Sequence, residues 1–129
     1  VDYYRYSRVR VVRVDSARNY NFSGKDIKLN YKLFLDDERY PKNPDCMIAR
    51  NSYDAQTFID MWGMPVEMML DHDLGGLDTT MVFLGWLEGY MNEHGLTFPE
   101  GFTYSVHSQN PIGAKNIKDR MEYLLEYGG

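Results

Sequence analysis

Three polar clusters in this chain each follow an apolar run directly. Asp36-Asp37-Glu38-Arg39 follows Leu33-Phe34-Leu35, Asp71-His72-Asp73 follows 66–70, and His107-Ser108-Gln109-Asn110-Pro111 follows 102–106. Adjacent carboxylates such as Asp36 and Asp37 repel each other unless a cation or basic group lies between them. Oxygen donors of this kind suit Mg²⁺, which takes one or two carboxylates and fills its shell with water and phosphate. The plainer alternative is a loop pair held by Arg39 or by a helix N-terminus. Asp71 and Asp73 stand two apart, so on an extended chain they face the same way and His72 faces elsewhere. A His-Asp set also suits Mn²⁺ or Zn²⁺. Gly75-Gly76 just after it lets backbone approach a ligand closely. Against this stands an Asp73 that merely caps a turn and a His72 that is an ordinary loop histidine. His107 could act as general acid or base near neutral pH. Ser108 and Asn110 sit beside the start of a helix, where free N–H groups favour phosphate, and Lys115 lies one turn further on. For Asn110 a simple capping role is the stronger reading.

The elements that must carry these clusters follow from hydropathy and turn residues. The three apolar runs read as short buried strands, joined by a fourth at 46–49. Ser52 is the expected cap of a helix over 53–62, striped by Ala55, Phe58, Ile59 and Trp62 and ended by Gly63. Asp78 is the expected cap of a helix over 79–93. Pro111, with Asn110 as cap, opens a last helix to about residue 127 that buries Ile112, Ile117, Met121, Leu124 and Leu125. The order strand, strand, helix, strand, helix, strand, helix predicts an α/β three-layer sandwich with a mostly parallel four-stranded sheet. In such a sheet the strands' C-terminal ends share one edge, where ligands bind. All three clusters then converge there. His94, at a helix end, reads as structural.

Residues 3–14 alternate Arg with Val or Tyr, and a second piece follows around 20–22. This predicts an N-terminal β-ribbon over 1–30, added to the α/β domain at 31–129. Residues 1–33 carry eight Lys/Arg against three Asp, while the remainder holds six Lys/Arg against sixteen Asp/Glu. The basic arm could meet phosphates, fold onto the acidic body or mediate a homo-oligomer. At 129 residues the chain suits one domain. No run approaches the roughly 20 apolar residues of a membrane helix, and the Tyr- and Arg-rich start is unlike a secretory signal. The single cysteine, Cys46, reads as buried filler, which fits a reducing, cytoplasmic setting.

Two families share these motifs. Lys32-Leu33-Phe34-Leu35-Asp36-Asp37 resembles the first strand and acidic pair of response-regulator receiver domains. That resemblance implies a flavodoxin-like fold, Asp71 or Asp73 as phospho-acceptor and Ser108 as the hydroxyl residue. The chain is more similar to the cyclic-phosphate-processing receiver-like domains, common in phages and bacteria. It carries Leu35-Asp36-Asp37-Glu38-Arg39-Tyr40-Pro41, then Asp71-His72-Asp73-Leu74-Gly75, then His107-Ser108-Gln109-Asn110-Pro111-Ile112-Gly113-Ala114-Lys115-Asn116-Ile117. This resemblance implies a receiver-like fold over about 32–125 with a metal and phosphate site acting on cyclic phosphates, such as an RNA 2′,3′-end. Asp36, Asp37 and Asp71 would hold Mg²⁺ or Mn²⁺. His107, His72 and Asp73 would serve catalysis, and Ser108, Asn110, Gly113 and Lys115 would bind phosphate. Two histidines, and a Lys115 inside a helix, depart from a signalling receiver.

The expectation is therefore a metal-assisted, phosphoesterase-like domain that acts on or binds nucleotide phosphate. The rivals are a phage-type accessory protein that binds a host protein or sequesters a nucleotide, and a phospho-accepting receiver.

Overall fold

The computed structural model describes residues 30–128. The expected N-terminal ribbon lies outside the described residues. Four strands follow the apolar runs: β1 Lys32–Leu35, β2 Met47–Ala49, β3 Glu67–Leu70 and β4 Thr103–Val106. Three helices join them: α1 Ser52–Trp62, α2 Thr80–His94 and α3 Pro111–Tyr127. The sheet order is β2-β1-β3-β4 and every pairing is parallel. This is the α/β sandwich that the alternation of elements predicts, in the receiver-like form that the resemblance implies. Strands β2, β3 and β4 each begin one residue later than their apolar runs do.

The sheet register decides which residues enter the core. Leu33 lies opposite Met47 and Met68, and Leu35 opposite Ala49 and Leu70. Leu33, Leu35, Ala49, Met68 and Leu70 join Ala55, Phe58 and Ile59 of α1 in one buried cluster. Phe83, Leu84, Leu87 and Met91 of α2 and Ile117, Met121 and Leu124 of α3 complete it. Their i, i+3, i+4 spacing turns one stripe of each helix inward. Truncating a fully buried ring such as Phe58 to alanine costs about 3–5 kcal/mol.

Two caps differ from expectation. Asn51, not Ser52, caps α1: its side chain accepts the Asp54 N–H at 2.8 Å. Ser52 is the first helical residue, and its N–H donates instead to Asp78 Oδ2 at 2.8 Å. That bond draws Asp78 away from its own helix, so α2 starts after Thr79, which makes no side-chain capping bond. For Asp78 the reason is tertiary, since its carboxylate takes an unpaired helix N–H from an element 26 residues away. Asn110 does cap α3, accepting from Gly113 N at 3.0 Å. Of the apolar residues expected inside α3, Ile112 is 75% exposed and Leu125 41% exposed. Both fall off the Ile117–Met121–Leu124 stripe and so turn outward.

Candidate functional site

Asp36, Asp71 and His107 are the first residues beyond β1, β3 and β4. Their backbone N–H groups extend the sheet by one rung: Asp36 N to Ala49 O at 3.1 Å, Asp71 N to Leu35 O at 3.0 Å, and His107 N to Leu70 O at 2.9 Å. Three positions separated by up to 71 residues are thereby set side by side at the strands' C-terminal edge. An apolar run that ends in register with its neighbours is what delivers them.

Asp36 is fully buried. Its Oδ1 accepts the N–H groups of Glu38 at 2.9 Å and Arg39 at 2.8 Å, a turn made by the carboxylate itself. Its Oδ2 lies 3.0 Å from His107 Nε2. The His107 ring stacks on Phe34, with centroids 4.9 Å apart and planes 5° from parallel. The loop after β1 is tied down by two arginines. Arg39 Nη1 donates to His107 O at 3.0 Å, and Arg50 Nη1 donates to Asp36 O at 3.0 Å and Arg39 O at 2.6 Å. The Arg50 guanidinium also lies over the Tyr40 ring at 4.7 Å.

Asp71 is buried, and its Oδ1 accepts the His72 N–H at 2.8 Å. The Thr80 hydroxyl at the start of α2 bonds to its carbonyl. Burial pushes the Asp71 carboxyl above its ordinary value, and Asp36 adds to this; the His72 N–H, His107 and Arg39 oppose it. Asp73 is exposed and takes His72 Nδ1 at 3.0 Å. The His72 ring lies against Gly113 so closely that a Cβ there would come within 2.4 Å of it. Gly75, at φ 96°, brings its backbone near Asp37 Oδ2, 3.7 Å from where its Cβ would stand.

One carboxylate oxygen from each of Asp36, Asp37 and Asp71 falls within 4.8 Å of the others. Asp37 and Asp71 border an open cleft of about 310 Å³, and Asp36 is buried behind them. Asp37, Glu38, Arg39, Asp71, Asp73, Ser108, Gln109 and Asn110 line it. Asp71 and Asp73 thus share a face, as their spacing predicts. The two histidines stand behind the wall: His107 backs Asp36 and His72 backs Asp73. On the third loop, Ser108 Oγ accepts the Asn110 N–H at 3.0 Å. Pro111 has no N–H, the Gly113 N–H goes to Asn110 Oδ1, and the Ala114 N–H goes to Asn110 O at 2.8 Å. The Gly113 and Ala114 N–H groups at the first turn of α3 are therefore already taken by Asn110. Lys115 is off the cleft wall, paired with Asp119 at 2.7 Å on an exposed helix face.

Sequence reasoning missed Arg50, which stands alone before α1 with no motif around it. It also missed Thr80, whose hydroxyl bonds back across the loop. Arg39 was legible as part of the acidic cluster, but not as the residue that locks His107's carbonyl.

The fold and this edge cluster define a receiver-like domain. The family model described as the cyclic-phosphate processing receiver domain matches residues 31–123, and the chain belongs to that family. No curated protein and no solved structure matches the chain. Among the described residues, no helix is long and apolar enough to cross a membrane.

Proposed function

We propose that the cleft binds a divalent cation, Mg²⁺ or Mn²⁺, together with a phosphate-bearing ligand, and that it hydrolyses a cyclic phosphodiester of a nucleotide or RNA end. The observation that carries this reading is the convergence of Asp36, Asp37 and Asp71 oxygens within 4.8 Å, beside a cleft lined by Asp37, Asp71, Ser108 and Asn110. Three carboxylates this close need positive charge among them, and an all-oxygen set fits a hard cation. When bound, such an ion neutralises phosphate oxygens and makes a bound water more acidic.

The chain's own residues then divide the work. Asp37 and Asp71 reach the cleft wall and present oxygens to the ion. Asp36, buried behind them, serves as the inner ligand while His107 fixes its orientation. Arg39 and Ser108, which both line the cleft, steady the phosphate. Asp73 stands exposed on the wall and accepts the proton that the attacking water loses, with His72 holding its carboxylate in place. The water oxygen forms the new bond to phosphorus, the bond to one ribose oxygen breaks, and that oxygen takes up the proton that Asp73 accepted, returned to it through solvent.

The test is to incubate the full chain with 2′,3′-cyclic nucleotides and Mn²⁺ or Mg²⁺ and to separate products by ion exchange. Turnover that needs the metal and is lost in Asp37→Asn and Asp71→Asn is the expected result. Absence of turnover, with Mn²⁺ binding unchanged by both substitutions, overturns the proposal.

A further inference from the structure

The direction in which Asp37 leaves the backbone depends on two peptide planes. Its φ is set by the plane that carries the Asp36 carbonyl, and its ψ by the plane that carries the Glu38 N–H. Both planes are held. On one side Asp36 Oδ1 accepts the Glu38 N–H at 2.9 Å. On the other, Arg50 Nη1 donates to Asp36 O at 3.0 Å. The same nitrogen donates to Arg39 O at 2.6 Å, so one guanidinium spans the turn from its first carbonyl to its last. Asp37 is exposed, so the backbone aims its carboxylate more than packing does. That carboxylate supplies one of the three oxygens that converge within 4.8 Å.

Arg50 is itself placed from three directions. It follows β2 directly, and the Asp36 N–H bonds to the adjacent Ala49 O at 3.1 Å, which brings the start of the turn beside it. Its own N–H donates to Oδ2 of Asp54, in the first turn of α1, at 3.2 Å. Its guanidinium lies over the Tyr40 ring, 4.7 Å from the centroid. A planar guanidinium can stack on a ring and donate within its own plane at the same time, whereas an ammonium is a compact point charge with no flat face. Arg50 does not line the cleft, so whatever it does there it does through the turn.

We propose that Arg50 is a positioning residue for the cation site: it holds the Asp36–Asp37 peptide plane so that the Asp37 carboxylate meets those of Asp36 and Asp71. This rests on the reading of the cleft as a cation site. It gives Arg50 no contact with the ion or with phosphate.

The test is titration of the full chain with Mn²⁺, read from the electron paramagnetic resonance signal of the free ion, with urea melts on the same samples. Arg50→Met keeps an unbranched stem and removes every donor, and it should weaken Mn²⁺ binding about tenfold. Arg50→Lys and Tyr40→Leu each keep a donor at the turn but break the stack, and each should weaken binding about threefold. Ile59→Val, in the core on α1, is the control: it should lower the urea midpoint and leave Mn²⁺ affinity at the parent value. A residue that only supports the fold would behave as this control does. Parent-like Mn²⁺ affinity in folded Arg50→Met therefore overturns the proposal and leaves the cation site standing. If Arg50→Met does not fold, parent-like affinity in both Arg50→Lys and Tyr40→Leu overturns it in the same way. A parent chain that binds no Mn²⁺ overturns both the positioning role and the cation site.

Discussion

His107 Nε2 lies 3.0 Å from Asp36 Oδ2, and Asp36 is fully buried. Both oxygens of that carboxylate are thus engaged within the protein, Oδ1 by two backbone N–H groups and Oδ2 by imidazole. The histidine is itself clamped, by Phe34 on its face and by Arg39 on its carbonyl. This makes His107 a positioning residue for Asp36.

Removing the imidazole leaves a buried carboxylate oxygen without its partner. His107→Ala should destabilise the fold by about 1–3 kcal/mol. It should also weaken Mn²⁺ binding by about 10- to 100-fold, the usual cost of losing a group that orients a metal ligand. Urea denaturation and Mn²⁺ titration read the two effects separately. Unchanged Mn²⁺ affinity in a folded variant would show that His107 does not orient a ligand.

Gly113 tests the packing behind the cleft. A methyl group there meets His72 Cγ at 2.4 Å, so the ring or α3 must move. Gly113→Ala should cost about 1–3 kcal/mol through overpacking, although alanine is the better helix former. The position is helical and not at positive φ, so backbone strain is not the cause. A rise in the urea midpoint would contradict the contact.

Asp54 gives a pH dependence whose sign is determined. Burial raises its carboxyl above 3.8 in the folded state, with Asp78 adding to the rise and the Arg50 N–H opposing it. The folded chain therefore holds this proton more tightly than the unfolded chain. The associated stability is fully present below about 3.8 and is lost as pH rises through the raised folded value. Asn at this position cannot titrate but can still accept the Arg50 N–H. Asp54→Asn should therefore gain on the parent as pH rises from 3.5 to 7, and paired urea melts at several pH values measure the difference. A difference that is flat with pH refutes the assignment.

Cys46 is 2% exposed and burial pushes its thiol up to about 11. At pH 8 the thiolate is then roughly one molecule in a thousand. Iodoacetamide should label the native chain far more slowly than the urea-unfolded chain, as mass spectrometry would show. Equal rates would place the thiol in solvent.

Much of this was legible in the residues themselves. Short apolar runs that stop at Asp36, Asp71 and His107 specify strands and the edge at which they end, because in a parallel sheet a strand's terminus is also its functional end. Helix stripes such as Phe58–Ile59–Trp62 and Ile117–Met121–Leu124 needed only the 3.6-residue period. What the tertiary structure decided is which polar groups meet. Asp78 serves Ser52 and not its own helix, Lys115 serves Asp119 and not the cleft, His72 stands behind Asp73, and His107 pairs with the buried Asp36. Sequence spacing sets the direction in which a side chain leaves the backbone. Its partner is whichever group an element tens of residues away brings within about 3 Å, and that distance depends on sheet register and loop closure.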